Sequence, residues 1–316
     1  MAINADKPHL WKSDIRASVD LFNDWFIRFA PKAYRETRIE TTKHVETALR
    51  LTDDLKHVNA AVLRAHPSIL PALRMSTCPP LARDRLIGLA NVPKNLVNSM
   101  EEGKLALRML GDVLETNLNR MAKVLSEMID SDIFPWLLGA YGPGDEERYR
   151  ASTIVADRLC GAVADPIVRN AQEKRQLALI EEYLRAKGYE RRPHPPSTPL
   201  NQMSPGTFSF RMNVVVGEAL RVNIPVDAVV QPKNLRSDAL PILIEAKSAG
   251  DFTNVNKRRK EEATKIRQIR LKYGDTAQFL LFLCGYFDSG YLGYEAAEGI
   301  DWIWEHRIED FDRLGL

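Results

Sequence analysis

The sequence predicts an α/β chain, with a mixed sheet in its second half and a large helical region before it. Three observations predict this. Apolar residues recur at helical spacing from residue 10 to about 165. Strand-like apolar runs and a hairpin turn begin only after residue 200. The later elements follow the order helix, hairpin, strand, helix, strand, as expected of an α/β core.

In the first region Ile15, Val19, Phe22 and Phe26 fall four, three and four apart, on one helix face. Val45, Leu49, Thr52 and Leu55 follow the same logic, and Leu105, Met109, Val113, Leu118, Met121 and Leu125 suggest another long helix. Prolines at 31, 67, 71, 79, 80, 93 and 135 punctuate the region, since proline fits poorly inside a helix. No strand is expected before residue 200, and 140–145 (AYGPGD) reads as a turn. This divides the chain into a helical region, 1–165, and a sheet-bearing region, 166–316.

The second region opens with a helix at 170–187 closed by Gly188, and 191–206 is a Pro- and Ser-rich loop. Strands at 207–216 and 220–230 flank a Gly217-Glu218 turn. A short strand at 241–248 (PILIEAKS) leads to a charged helix at 256–273 ended by Gly274. The run 277–287 (AQFLLFLCGYF) is apolar throughout, as in a strand buried on both faces. The tail, 300–316, adds one short strand and a helix.

Composition excludes several classes. No apolar run reaches transmembrane length, and the N-terminal stretch has no apolar signal region, so neither a membrane span nor secretion is expected. Three scattered cysteines form neither a disulfide framework nor a CxxC metal site, which suits the cytoplasm. The six histidines lack zinc-binding spacing, and there is no GxSxG elbow or GxxxxGK[ST] loop. The net charge of +2 is far below that of a protein that merely coats nucleic acid.

The chemistry-bearing candidate is Asp227 followed by Glu245-Ala246-Lys247. An acidic-x-Lys triplet alone is weak: composition predicts about two in a chain like this, and three occur, at 54–56, 102–104 and 245–247. The first two sit in helical surroundings and read as solvated surface charges. Only the third lies in an apolar β-run. Alternation puts Leu243, Glu245 and Lys247 on one face and Ile242, Ile244 and Ala246 on the other. Charges projecting from a core-like strand are costly unless paired or bound to a metal. A neighbouring strand could bring Asp227 beside Glu245, and two close carboxylates call for a cation. Asp227 and Glu245 would then hold Mg²⁺, with the Ala246 carbonyl as a further ligand, and Lys247 would orient an attacking water at a phosphodiester. The alternative is a structural ion network. Glu173 lies on a buried stripe with Leu177, Ile180 and Leu184. Either it approaches the same site or it pairs with Arg169 or Arg211.

Residues 251–275 carry eight basic and four acidic side chains, a net charge of +4 that exceeds that of the whole chain. Thr253, Asn254, Lys257, Arg258, Arg259 and Lys260 are candidates for phosphate contact. Lys265 to Lys272 read instead as a solvated helix face. A second basic stretch, with Arg83, Arg85, Lys94, Asn95 and Asn98, either contacts a groove or is ordinary helix surface.

Asp227 and Glu245-Ala246-Lys247, with a helix on either side, resemble the PD-(D/E)XK nuclease core, although Pro225-Val226-Asp227 stands where that signature has adjacent Pro-Asp. The stretches KPHLW (7–11), NDWF (23–26), LCGAVADP (159–166) and SAGDFTN (248–254) further resemble the XamI family of type II restriction endonucleases. The resemblance implies a Mg²⁺-dependent homodimer that cuts palindromic double-stranded DNA, with GTCGAC as a target. It also implies a cognate methyltransferase that shares the target rather than binding directly. The region 1–165 would then serve base recognition or dimerisation, and 166–316 would be the nuclease core. The competing readings are a structure-specific repair or recombination nuclease and a catalytically inactive DNA-binding protein on the same fold.

Neutralising Arg258 and Arg259 together is expected to flatten the dependence of DNA affinity on salt, measured as the slope of log affinity against log salt. An unchanged slope would return both residues to the solvated surface.

Overall fold

The computed structural model describes residues 2–105, 109, 111–139, 141–195, 199–217, 222–233 and 240–316, and within them every side chain except those of 254 and 256–259. The chain forms two compact units. One joins Met1–Phe29 to Val168–Leu316, and the other is Ala30–Ile167.

Unit Ala30–Ile167 is helical. It takes the later part of α1 (Pro8–Leu51), then α2 (Ala60–Ala65), α3 (Leu70–Met75), α4 (Arg83–Ala90), α5 (Lys94–Glu101), α6 (Gly111–Met128) and the first part of α7 (Asp145–Ala186). On α6 the buried Leu114, Leu118, Met121 and Leu125 fall four, three and four apart, and they join a core with Leu63, Leu96, Val97, Phe134 and Val155. Arg83, Arg85, Lys94 and Asn95 are exposed. Two expectations need correction. Pro31 lies inside α1 and does not end it, and Pro166 lies in the same way inside α7. Each removes one backbone donor from helices of 44 and 42 residues, whose remaining bonds and packing continue past it. The triplets 54–56 and 102–104 sit in turns rather than helices. Asp54 is not solvated either, because Arg148 donates to both its oxygens at 3.0 and 2.8 Å.

The other unit is a sheet covered on both faces. Its strands are β1 (Glu190–Arg191), β2 (Thr207–Val216), β3 (Val222–Gln231), β4 (Ile242–Ala249), β5 (Phe279–Gly285) and β6 (Asp301–Trp304). Among the described residues they form one six-stranded sheet in sequential order. The β2–β3 and β3–β4 pairs are antiparallel, and β1–β2, β4–β5 and β5–β6 are parallel. β1 corrects the expectation of no strand before residue 200: Glu190 and Arg191, where the Pro-rich segment begins, pair with the start of β2. The turn at 218–221 lies outside the described residues.

Parallel neighbours need a crossover. For the two longer parallel pairs these are α8 (Phe252–Tyr273), between β4 and β5, and α9 (Ser289–Ala297), between β5 and β6. Val255, Ile266 and Ile269 of α8 and Tyr291 and Leu292 of α9 pack with Leu243, Leu281 and Leu283 on one face. On the opposite face Leu177, Ile180 and Leu184 of α7 pack with Ile242, Ile244 and Phe282. The predicted alternation along β4 is therefore observed. Gly188 ends α7 and Gly274 ends α8, both at positive φ. The N-terminal residues belong to this unit because the Asp301 carboxylate accepts from the N–H groups of Asn4 and Ala5, each at 3.0 Å.

Gly285, beside Ala249 at the end of the β4–β5 ladder, has φ +104°. A Cβ there would come within 2.1 Å of the Ala249 carbonyl oxygen. Gly285→Ala is expected to destabilise the protein by about 3 kcal/mol or more, read as a lowered midpoint of denaturant unfolding. A midpoint at the wild-type value would show that the strand end yields freely.

Candidate active site

Two acids meet where the β3–β4 ladder stops. The last paired positions are Ala228 and Ile244, and one step further the register sets Asp227 opposite Glu245. The Ala246 N–H donates to Asp227 Oδ2 at 2.8 Å. A side chain thus satisfies a donor that a continued ladder would have paired, and the two strands part at this point.

The hairpin bends at the same level. Residues two apart on a strand share a face. Yet Phe208 and Phe210 lie with one apolar cluster, and Met212, Val214 and Val216 with the other. The change falls at Arg211, whose φ of +53° is unusual for a residue with a side chain. Arg211 stands across from Asp227 in the β2–β3 register, and Ile224 and Val226 likewise change clusters relative to Ala228 and Val230. The Asp227 side chain therefore projects from the point at which β2 and β3 reverse their faces.

Glu245 is 6% exposed. Its Oε1 accepts from Lys265 Nζ at 2.6 Å and lies 3.2 Å from Lys247 Nζ. Its Oε2 has no hydrogen-bond partner among the described residues. Lys247 Nζ is also 2.8 Å from Glu262 Oε1. Burial favours the neutral amine, but Glu245 and Glu262 outweigh it and hold the Lys247 pKa above its ordinary 10.5. Burial and then the charge of Glu245 push the Asp227 carboxyl up to about 6. The Ala246 N–H opposes that rise, and Glu173 adds to it.

Glu173 pairs with Arg211, Nη2 to Oε1 at 2.8 Å, one of the partners expected for it. It is also close enough to Asp227 to raise its pKa. Thr253 and Lys260 are exposed in the first turns of α8, directly after β4. The side chains of Asn254, Lys257, Arg258 and Arg259 lie outside the described residues. Lys265 does not belong to a solvated face as expected, because it reaches inward to Glu245.

The sequence reading missed four contributors. Glu262 is fully buried, and Val255, Glu262, Ile266 and Ile269 fall seven, four and three apart, the same signal that singled out Glu173. Lys265 was assigned to the surface. Glu295, on the unanticipated α9, is also fully buried, and its carboxyl is pushed up to about 8 by burial and then by Glu262. Gln176 of α7 donates from the opposite face to the carbonyls of Lys247 and Phe282, at 3.3 and 3.2 Å. No sequence signal distinguishes Gln176 from other helix glutamines.

Among the described residues no group of three or more His, Cys, Asp or Glu side chains is arranged to hold a metal. Two carboxylates nevertheless fit a hard divalent ion of the Mg²⁺ type, which takes one or two carboxylates and completes its shell with water and phosphate. The unpartnered Glu245 Oε2 and the strained ionisation of Asp227 are what such an ion would relieve.

The sequence profile of the XamI restriction endonucleases matches residues 53–304. The chain belongs to the XamI restriction endonuclease family. It is 61% identical over 313 residues, 99% of each chain, to the type II restriction enzyme SalI of Streptomyces albus G. A crystal structure of protein VC1899 from Vibrio cholerae aligns with 90% of this chain at 13% identity and a TM-score of 0.28. The chain spans 56% of that protein's length, and the likeness is too remote to carry an argument.

The folded Asp227 carboxyl keeps its proton up to about pH 6, whereas an unfolded one releases it near the ordinary 3.8. The folded state therefore loses stability as pH rises through that interval and carries the full deficit above it. Asp227→Asn is expected to raise the thermal midpoint of the metal-free protein at pH 8, with the gain vanishing near pH 4. Equal gains at both pH values would remove the electrostatic cause.

Proposed function

We propose that this chain is a type II restriction endonuclease that hydrolyses phosphodiester bonds at a specific site in double-stranded DNA. One observation carries the activity: the 61% identity to SalI, which extends over 99% of both chains and leaves no domain unmatched. The reading includes a PD-(D/E)XK core made of Asp227, Glu245 and Lys247. The parting of β3 and β4 at the two acids supports this, as does the protonated lysine two residues beyond Glu245.

In this reading Asp227 and Glu245 hold Mg²⁺, with the Ala246 carbonyl as a further ligand. When bound, the ion polarises the phosphate and lowers the pKa of water. Lys247 orients the attacking water and balances charge that develops on the phosphate. Glu173, through Arg211, fixes β2, the strand paired with the one that carries Asp227. Thr253, Asn254, Lys257, Arg258, Arg259 and Lys260 meet the DNA backbone. A helix N-terminus directly after β4 favours an anion, and cations so near that terminus are otherwise unfavourable.

The target in this reading is GTCGAC, shared with a cognate methyltransferase. A palindromic site has two-fold symmetry, so a homodimer places one active centre on each strand. The region 1–165 then serves base recognition or dimer contact, and 166–316 the chemistry.

Asp227→Ala and Glu245→Ala are each expected to slow cleavage by at least about 10³-fold while leaving the protein folded. Lys247→Ala is expected to retain DNA affinity and lose cleavage. Normal cutting by either acid variant would dismiss the metal site, and equal loss of binding and cutting would make the lysine structural. Sequencing the ends of digested duplex tests the target, with breaks outside GTCGAC counting against it.

A further inference from the structure

Lys247 is a long side chain with many rotamers, and a reaction that relies on its ammonium needs that group held still. Two carboxylates reach it. Glu262 Oε1 is 2.8 Å away and Glu245 Oε1 3.2 Å. The Glu245 oxygen is already engaged by Lys265 at 2.6 Å. Glu262 is therefore the nearer anchor, and among the ion pairs of the described residues it is engaged by Lys247 alone.

We propose that Glu262 is a positioning residue that holds the Lys247 ammonium at the reacting phosphate, an assignment that rests on the role given to Lys247 above. Glu262 is fully buried beneath the sheet face that carries Glu245 and Lys247. A carboxylate in such a place is costly, and apolar residues of similar volume often stabilise a fold better than a buried ion pair does. Its neighbours on the α8 stripe, Val255, Ile266 and Ile269, are apolar, so packing alone would favour an aliphatic side chain here.

The arrangement separates the two lysines. Lys265 neutralises Glu245 from α8, while Glu262, three residues earlier on the same helix, draws Lys247 from β4. Glu295 of α9 lies within electrostatic range of Glu262. Burial and then the charge of Glu262 raise the Glu295 pKa.

The test is a double-mutant cycle on single-turnover cleavage of duplex DNA that the wild-type enzyme cuts, with full-length wild type, E262Q, K247Q and E262Q/K247Q. E262Q is expected to cleave about tenfold or more slowly, with DNA affinity within about twofold of wild type. The double variant is expected to be no slower than K247Q, because a residue that acts through Lys247 has nothing left to position. Rate losses that multiply in the double variant, or wild-type cleavage by E262Q, would overturn the proposal. If E262Q does not fold, E262D decides. It keeps the charge but withdraws it by one methylene, and a slowed rate at unchanged affinity is expected, whereas an unchanged rate would overturn the assignment. Wild-type cutting by K247Q would instead overturn the lysine's own role, and this proposal with it.

Discussion

The structure turns on the repulsion between two carboxyl groups held at the fork of β3 and β4. Asp227 lies opposite Glu245 one step beyond the last rung of the ladder, and burial and then the charge of Glu245 raise the Asp227 pKa. A fold built for stability alone would have continued the ladder or filled the gap with apolar side chains. Instead the Asp227 side chain takes the Ala246 N–H, and the strands diverge. The left-handed backbone at Arg211 lies level with this divergence, which fits the tendency of strain to gather at functional positions.

The surrounding elements hold the fork in place from both faces. α8 supplies Lys265 to Glu245 and Glu262 to Lys247, so a single helix brings a charge to each side chain of the Glu245-Ala246-Lys247 triplet that carries one. From the other face Gln176 ties the Lys247 and Phe282 carbonyls to α7. A compensating cation is thus already present at Glu245, whereas Asp227 is offered an N–H and no ion pair among those of the described residues. This asymmetry suits a site whose remaining positive charge arrives with the substrate and a divalent ion.

Much of this could be read from the residues. Period-two alternation along 242–248 correctly set Glu245 and Lys247 against Ile242 and Ile244, because β4 is buried on both faces and a register slip would expose its core. The two glycines that end α7 and α8 were legible, since only a residue without Cβ adopts their backbone freely. Pro31 misled, because local propensity lost to the length and packing of α1. Glu262 was readable by spacing, but in a strongly basic helix it entered only the charge count. Lys265 was out of reach of any one-dimensional pattern, since its partner is on a strand twenty residues away.

Membership of the XamI family and the near-complete match to SalI give the chain its activity class, and the proposed site is the fork of β3 and β4. The central claim is that Asp227 and Glu245 share one divalent ion. A crystal structure of the protein with duplex DNA and Mn²⁺, with anomalous differences collected at the manganese edge, tests this most directly. A peak is expected within coordination distance of both carboxylates, next to a backbone phosphate. A bound duplex with no metal between those two side chains would contradict it.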